Sequence, residues 1–241
     1  MNISSLNISQ QHIQPFSLAL EESHHIKHDY DSARWLYVPP IYCDYRYVLG
    51  TVGENPLICV GINPSTATPN MLDPTMKSVE RIAVANGFDS FIMFNVYAQR
   101  ATQPDDLDPK CNAILHRENM NAFQWALSQT KSDSPSIWAA WGTLIEKRTY
   151  LASCLCDMLL LGQEFHACWY SAGPRSKKGH PHHPLYLRGD SKLIPFDVQQ
   201  YIKTISYINT NIKQFNDKKN RISIIIKTKN HQLQHLWLKH N

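Results

Sequence analysis

Residues 57–67 read LICVGINPSTA. The apolar run Leu57–Val60 ends at Gly61, and Asn63-Pro64-Ser65 follow at once. A short, uninterrupted apolar run that stops at turn residues has the pattern of a parallel-sheet strand buried on both faces. Gly61 permits a tight turn, while Pro64 ends ladder pairing and holds Asn63 extended. Asn63 then stands at the carboxyl end of a buried strand, the edge at which open α/β sheets bind ligands.

Strand and helix patterns alternate outward from this point. Before it, residues 42–61 read as two strands around a Gly53-Glu54-Asn55-Pro56 turn. After it, Asp73-Pro74 has the form of an N-cap followed by proline at the first helical position. The helix would carry Met76, Val79, Ile82 and Ala83 and stop at Gly87. Residues 90–97 (SFIMFNVY) predict a second buried strand with Asn95 near its end, and a helix is expected over about 112–128. A third strand, 136–141, ends at Gly142 and leads to a helix over 144–160. A fourth, 164–170, runs into a Gly/Pro/basic loop containing His180 and His183, and a last helix spans about 191–208. This alternation predicts an α/β domain with a parallel sheet covered on both faces. Its expected limits are 41–205, between a polar N-terminal extension (1–40) and a basic C-terminal one (206–241). The run ISIII at 222–226 suggests an added strand in the latter.

The 241 residues are 43% hydrophobic and 10% aromatic, a globular composition. There is no bilayer-length apolar run and no signal-peptide core, so a cytoplasmic protein with no membrane attachment and reduced cysteines is expected. Cys154 and Cys156 lack a second pair, and His24, His25 and His28 read as exposed terminal histidines. No metal or other cofactor is expected. The net charge of +4 is unevenly placed: residues 206–241 hold seven Lys/Arg against one Asp, which leaves 17 against 19 elsewhere. Such a segment can grip a phosphate backbone or simply keep the surface solvated.

Polar groups collect at three predicted strand ends, and in a parallel sheet these share one edge. Asn63 and Asp73 could orient or activate a water; equally, Asn63 could build an Asx turn and Asp73 cap its helix. Asn95 offers a donor and an acceptor to a nucleobase edge, or to backbone. His180 or His183 could donate to an atom gaining negative charge, with the other structural. Arg46 and Arg100 could hold phosphate or pair with a carboxylate. No Walker loop, dinucleotide fingerprint or Ser-His-Asp pattern competes.

Four segments together resemble known families. GINPS at 61–65, FIMFNVYAQRA at 91–101, AAWG at 139–142 and GHPHHPLYL at 179–187 are similar, in order and approximate spacing, to motifs of the uracil-DNA glycosylase superfamily. A closer resemblance is to a bacterial domain family of uncharacterised function that carries NPSTA, DPT, a strand-end Asn, AWG and HPLYL in this order. The sequence departs from the superfamily in two places. HPHHPL has one residue more than the superfamily's last motif and lacks its serine. No aromatic residue follows the first motif to stack on a base, Met71 and Phe88 being the nearest candidates.

The resemblance implies a three-layer α/β/α sandwich with a short parallel central sheet, and metal-free hydrolysis of a base–sugar bond. Asn63, with Asp73, would position the water; Asn95 would read the base; His180 or His183 would stabilise the departing base. Ile62, Pro64, Ser65 and Arg100 would complete the substrate site, and Arg175, Lys177 and Lys178 would bind DNA phosphates. The expected activity is that of a monofunctional DNA glycosylase acting on a flipped base, since no lysine is placed to form a Schiff base. The polar Thr66–Asp73 loop suits a bulky modified base, and hence defence against phage with modified DNA. Two alternatives stand beside it: a nucleic-acid-binding module without catalysis, and an N-glycosidase of free nucleosides or nucleotides.

Overall fold

In a computed structural model of the chain, residues 13–204 are described. They contain seven strands: β1 (Trp35–Val38), β2 (Val48–Thr51), β3 (Pro56–Gly61), β4 (Ser90–Asn95), β5 (Ser136–Ala139), β6 (Cys168–Ala172) and β7 (Leu193–Pro195). The helices are α1 (Phe16–His25), α2 (Pro74–Ala85), α3 (Ala113–Leu127), α4 (Thr149–Glu164) and α5 (Val198–Thr204). All strands join one sheet in the order β1-β2-β4-β3-β5-β6-β7. β4, β3, β5 and β6 run parallel in the centre, and β1, β2 and β7 are antiparallel at the edges.

The expected apolar strand is β3, every residue of which is buried. Its side chains alternate between two cores. Leu57 and Cys59 pack with Met76, Val79 and Ile82 of α2, whereas Ile58 and Val60 pack with Leu115 and Phe123 of α3 and Leu155 and Leu159 of α4. Helices therefore cover both faces, and the fold is a three-layer α/β/α sandwich. The chain leaves β3 toward β4, then crosses back to β5 on β3's other side. The β3/β5 junction is thus the switch point at which the connections diverge.

Local signals act as expected at two helices. The Asp73 side chain accepts the Met76 N–H (2.8 Å) with Pro74 at the first helical position, and Gly87 adopts φ +86° beyond the helix end. Asn112 caps α3 by accepting from Ile114 and Leu115 N–H. Phe123 of α3 meets Phe94 of β4 with ring centroids 5.0 Å apart, both fully buried and each contributing about 1.5–3 kcal/mol by burial.

Within the expected N-terminal extension, β1 extends the sheet, and Phe16 of α1 packs against Tyr47 and Trp125 (5.8 Å each). Two expectations are corrected. The helix expected from 144 begins only at Thr149, because Gly142–Glu146 form a tighter 3₁₀ turn that buries Trp141 and Ile145. The helix expected from 191 begins only at Val198, since Leu193–Pro195 form the edge strand β7, which Pro195 ends for want of a ladder donor; its expected end at 208 lies outside the described residues. α5 follows, with Asp197 accepting the Gln200 N–H at 2.8 Å. The basic extension and its expected strand at 222–226 lie outside the described residues.

Gly50 shows how closely the edge strands approach. A Cβ there would lie 2.2 Å from the Phe91 carbonyl oxygen and 2.9 Å from Ile92 Cα, both backbone atoms of β4. Gly50→Ala is therefore expected to cost about 1–3 kcal/mol or more in urea unfolding. A variant that unfolds with the parent would contradict this β2–β4 spacing.

Candidate active site

The carboxyl ends of the parallel strands open into a cleft of about 570 Å³, within the usual range for small-molecule sites. One wall is the loop after β3, with Ile62, Asn63 and Ser65; a second is the start of α2, from Asp73 to Thr75. Trp141–Leu144 after β5 and His183, Leu185 and Tyr186 after β6 complete it. Main-chain pairing continues past the strands and fixes the first wall. Val96 and Tyr97 N–H donate to Gly61 and Ile62 carbonyls (2.9 and 3.0 Å), and Ala101 N–H donates to Pro64 (2.9 Å).

Three polar side chains line this space with distinct capacities. Asn63 Nδ2 donates to the carbonyls of Pro64 (2.9 Å) and Ala101 (2.8 Å), which occupies both its N–H bonds. Its Oδ1 accepts nothing from the described residues and remains an acceptor. Asp73 Oδ1 takes the Met76 N–H, and Oδ2 has no donor among the described residues. His183 Nδ1 accepts the Leu185 N–H (3.3 Å), which leaves the proton of the neutral ring on Nε2. Burial pushes the His183 pKa down, and the Asp73 carboxylate opposes this in part. The cleft thus combines an amide acceptor, a carboxylate and a neutral imidazole donor.

Other expected site residues lie behind the cleft. Asn95 is 1% exposed, and in the amide orientation that satisfies its surroundings it donates to the Asn63 carbonyl (3.2 Å) and to Phe94 (3.3 Å). It holds the Asn63 main chain and does not line the cleft. His180 is also 1% exposed, with Nδ1 bonded to Tyr201 Oη (2.8 Å) and Nε2 to Glu146 (2.9 Å), so neither nitrogen is open to a substrate. Pro64 contributes through its carbonyl. Arg100 donates to the Ser65 carbonyl and to Tyr37 Oη (2.9 Å) and stacks on Tyr42 at 4.2 Å. Buried Arg46 donates to the Ala67 carbonyl at 3.1 Å; burial, then the neighbouring Arg100, lowers its pKa to about 9. Of the expected phosphate contacts, Lys177 is exposed, Arg175 stacks on Phe196 (4.7 Å) and Lys178 pairs with Glu146 (2.8 Å).

Sequence reasoning missed Thr75, Thr102, Trp141, Thr143 and Tyr186. Tyr186, 78% exposed, places an aromatic ring at the cleft that the first motif does not supply. Its neighbourhood was flagged by HPLYL, but only the fold brings that loop opposite Asn63. Among the described residues no group of three or more His, Cys, Asp or Glu side chains could hold a metal, and no helix is long and apolar enough to cross a membrane.

Residues 46–185 match the model of a family described as "Protein of unknown function (DUF1643)", and the chain belongs to that family. The match spans every residue lining the cleft except Tyr186. No curated protein and no solved structure matches the chain, and nothing in these comparisons links it to the uracil-DNA glycosylase superfamily.

The depressed pKa of His183 has a definite sign. The unfolded chain takes up this proton first, so His183 makes the fold less stable as pH falls below about 6.5. In an NMR titration assigned with His183→Gln, His183 should titrate below an ordinary histidine, and Asp73→Asn should lower it further. A midpoint above the ordinary value would contradict the neutral donor.

Proposed function

We propose that this DUF1643-family protein is an N-glycosidic hydrolase, acting as a DNA glycosylase on a base turned out of its strand into the cleft. The observation that carries this reading is the set of three unlike groups in one cleft: an acceptor, a carboxylate and a neutral N–H donor.

Breaking the bond between C1′ and the base nitrogen leaves positive charge on the sugar, while the bonding electron pair departs with the base. The His183 Nε2–H donates to the base as its negative charge grows. A water held by Asn63 Oδ1 adds its oxygen to C1′, and its proton passes to Asp73. Asp73 then releases this proton to solvent and the base anion takes one up, so the products are the free base and an abasic sugar. A neutral imidazole suits this task because it stabilises charge without having to be protonated at neutral pH. Tyr186 offers a face for stacking on the extruded ring. The cleft volume accommodates a base with added substituents, in keeping with modified bases as substrates and with a role against phage DNA.

One observation favours a second reading, hydrolysis of free nucleosides or nucleotides. Arg175 stacks on Phe196 and Lys178 pairs with Glu146, so two of the three cations expected to meet a DNA backbone already have partners. Deleting residues 206–241 separates the two: DNA substrates should lose turnover, while a free nucleoside should not.

The test is base release, followed as alkali-labile breaks in oligonucleotides carrying natural, deaminated or hypermodified bases. Asn63→Ala and His183→Ala are expected to slow release by roughly 10²–10³ and Asp73→Asn by roughly 10²–10⁴. Asn at position 73 preserves the helix cap, so fold loss does not confound that variant. Release unaffected by all three substitutions would overturn the proposal.

A further inference from the structure

A second cavity, of about 350 Å³, opens on the other side of the loop that walls the cleft. His28, Tyr30, Tyr37 and Tyr42 form one side of it, and Thr68 and Asn70 form the other. The aromatic side is built and braced. Tyr42 is 59% exposed, with the Arg100 guanidinium 4.2 Å from its ring centroid. Arg100 also bonds Tyr37 Oη, Tyr30 meets Tyr37 edge-on at 6.0 Å, and His28 lies 4.4 Å from the Tyr30 ring. Burial, with Tyr37 and Asp29 nearby, raises the Tyr30 pKa to about 12, so that phenol stays neutral.

The opposite wall is held equally firmly. Thr68 and Met71 exchange main-chain hydrogen bonds (3.2 and 3.1 Å), and Asn70 Nδ2 donates to the Asp29 carbonyl (2.9 Å). Charge favours an anionic ligand. Lys27 and Asp29 line the cavity with opposite signs, but Arg46 and Arg100 behind it have no carboxylate at ion-pair distance among the described residues. The Nε atoms of both are buried without a partner.

An exposed aromatic ring in a cavity shared with hydroxyl and amide groups, with two guanidinium groups nearby that have no carboxylate at ion-pair distance among the described residues, fits a planar heteroaromatic ring joined to a phosphate. The cavity also lies close to the cleft along the chain. Ala101 in the cleft follows Arg100 directly, and Thr68 is three residues from Ser65, no more than about 11 Å of extended chain. We propose that this cavity is a second nucleobase-stacking subsite, which takes an unpaired base close along the strand to the one in the cleft. The inference rests on reading the cleft as a base site. Contacts to flanking nucleotides are one way in which enzymes acting on flipped bases acquire sequence context.

The test is fluorescence anisotropy with a short fluorescein-labelled oligothymidylate, run beside the base-release assay. Tyr42→Ala should weaken binding roughly five- to hundredfold, the worth of one base–aromatic stack. Tyr42→Phe, which keeps the ring, should bind as the parent does. Equal binding by Tyr42→Ala, or no binding by the unsubstituted protein, overturns the subsite. Tyr42-dependent binding without base release from any substrate would keep the subsite and remove the glycosylase reading. Base release with Tyr42-independent binding would do the reverse. Should Tyr42→Ala fail to fold, photocrosslinking of iododeoxyuridine oligonucleotides to the unsubstituted protein decides the matter. Adducts should fall within residues 26–42 or 66–70, and adducts only elsewhere contradict the subsite.

Discussion

Gly61 and Asn95 lie side by side at the ends of two parallel strands, and the cleft depends on how they fit. A Cβ on Gly61 would sit 2.6 Å from Met93 Cε and 3.0 Å from an Asn95 side-chain atom, so the missing side chain makes room for the asparagine. Asn95 uses that room to bond the Asn63 main chain. Leaving such a buried amide unpaired would cost about 1–3 kcal/mol, which ties the first turn residue to the sheet beneath it. Asn63 in turn spends its two N–H bonds on carbonyls and keeps its oxygen free. The acceptor at the cleft is thus set by packing one layer below.

The two histidines of one short motif divide by burial. His180 closes a chain that runs from Trp141 Nε1 through Tyr201 Oη to Glu146 and Lys178, joining the cleft floor to α5. His183, three residues on, turns toward the cleft with one nitrogen tied to backbone. The arginines show the same division between expected and actual work. Arg46 and Arg100 hold carbonyls of the 65–67 segment, so their charge shapes the wall between two cavities and does not reach into the cleft.

The central strands were readable because a doubly buried strand has a continuous apolar run, as in 57–61 and 90–95. The cap at Asp73-Pro74 was readable because its chemistry is local. The role of Asn95 was not, since a strand-end amide looks the same in sequence whether it meets a ligand or a neighbouring loop. His180 and His183 could not be separated for the same reason: the partners that distinguish them are Glu146, Tyr201 and Leu185, two of them distant in the chain. Tyr186 escaped notice because exposure at a rim is a property of the assembled fold. The edge strands β1 and β7 are short, and neither carries a long enough alternation to stand out.

The most direct test of the account is a crystal structure of Asp73→Asn bound to an oligonucleotide whose target nucleotide carries a 2′-fluoro group, which slows loss of the base. The base is expected within the cleft between Asn63 and Tyr186, with its glycosidic side toward His183 Nε2 and a water on Asn63 Oδ1. DNA bound with every base still stacked, or a base seated away from these residues, would contradict it.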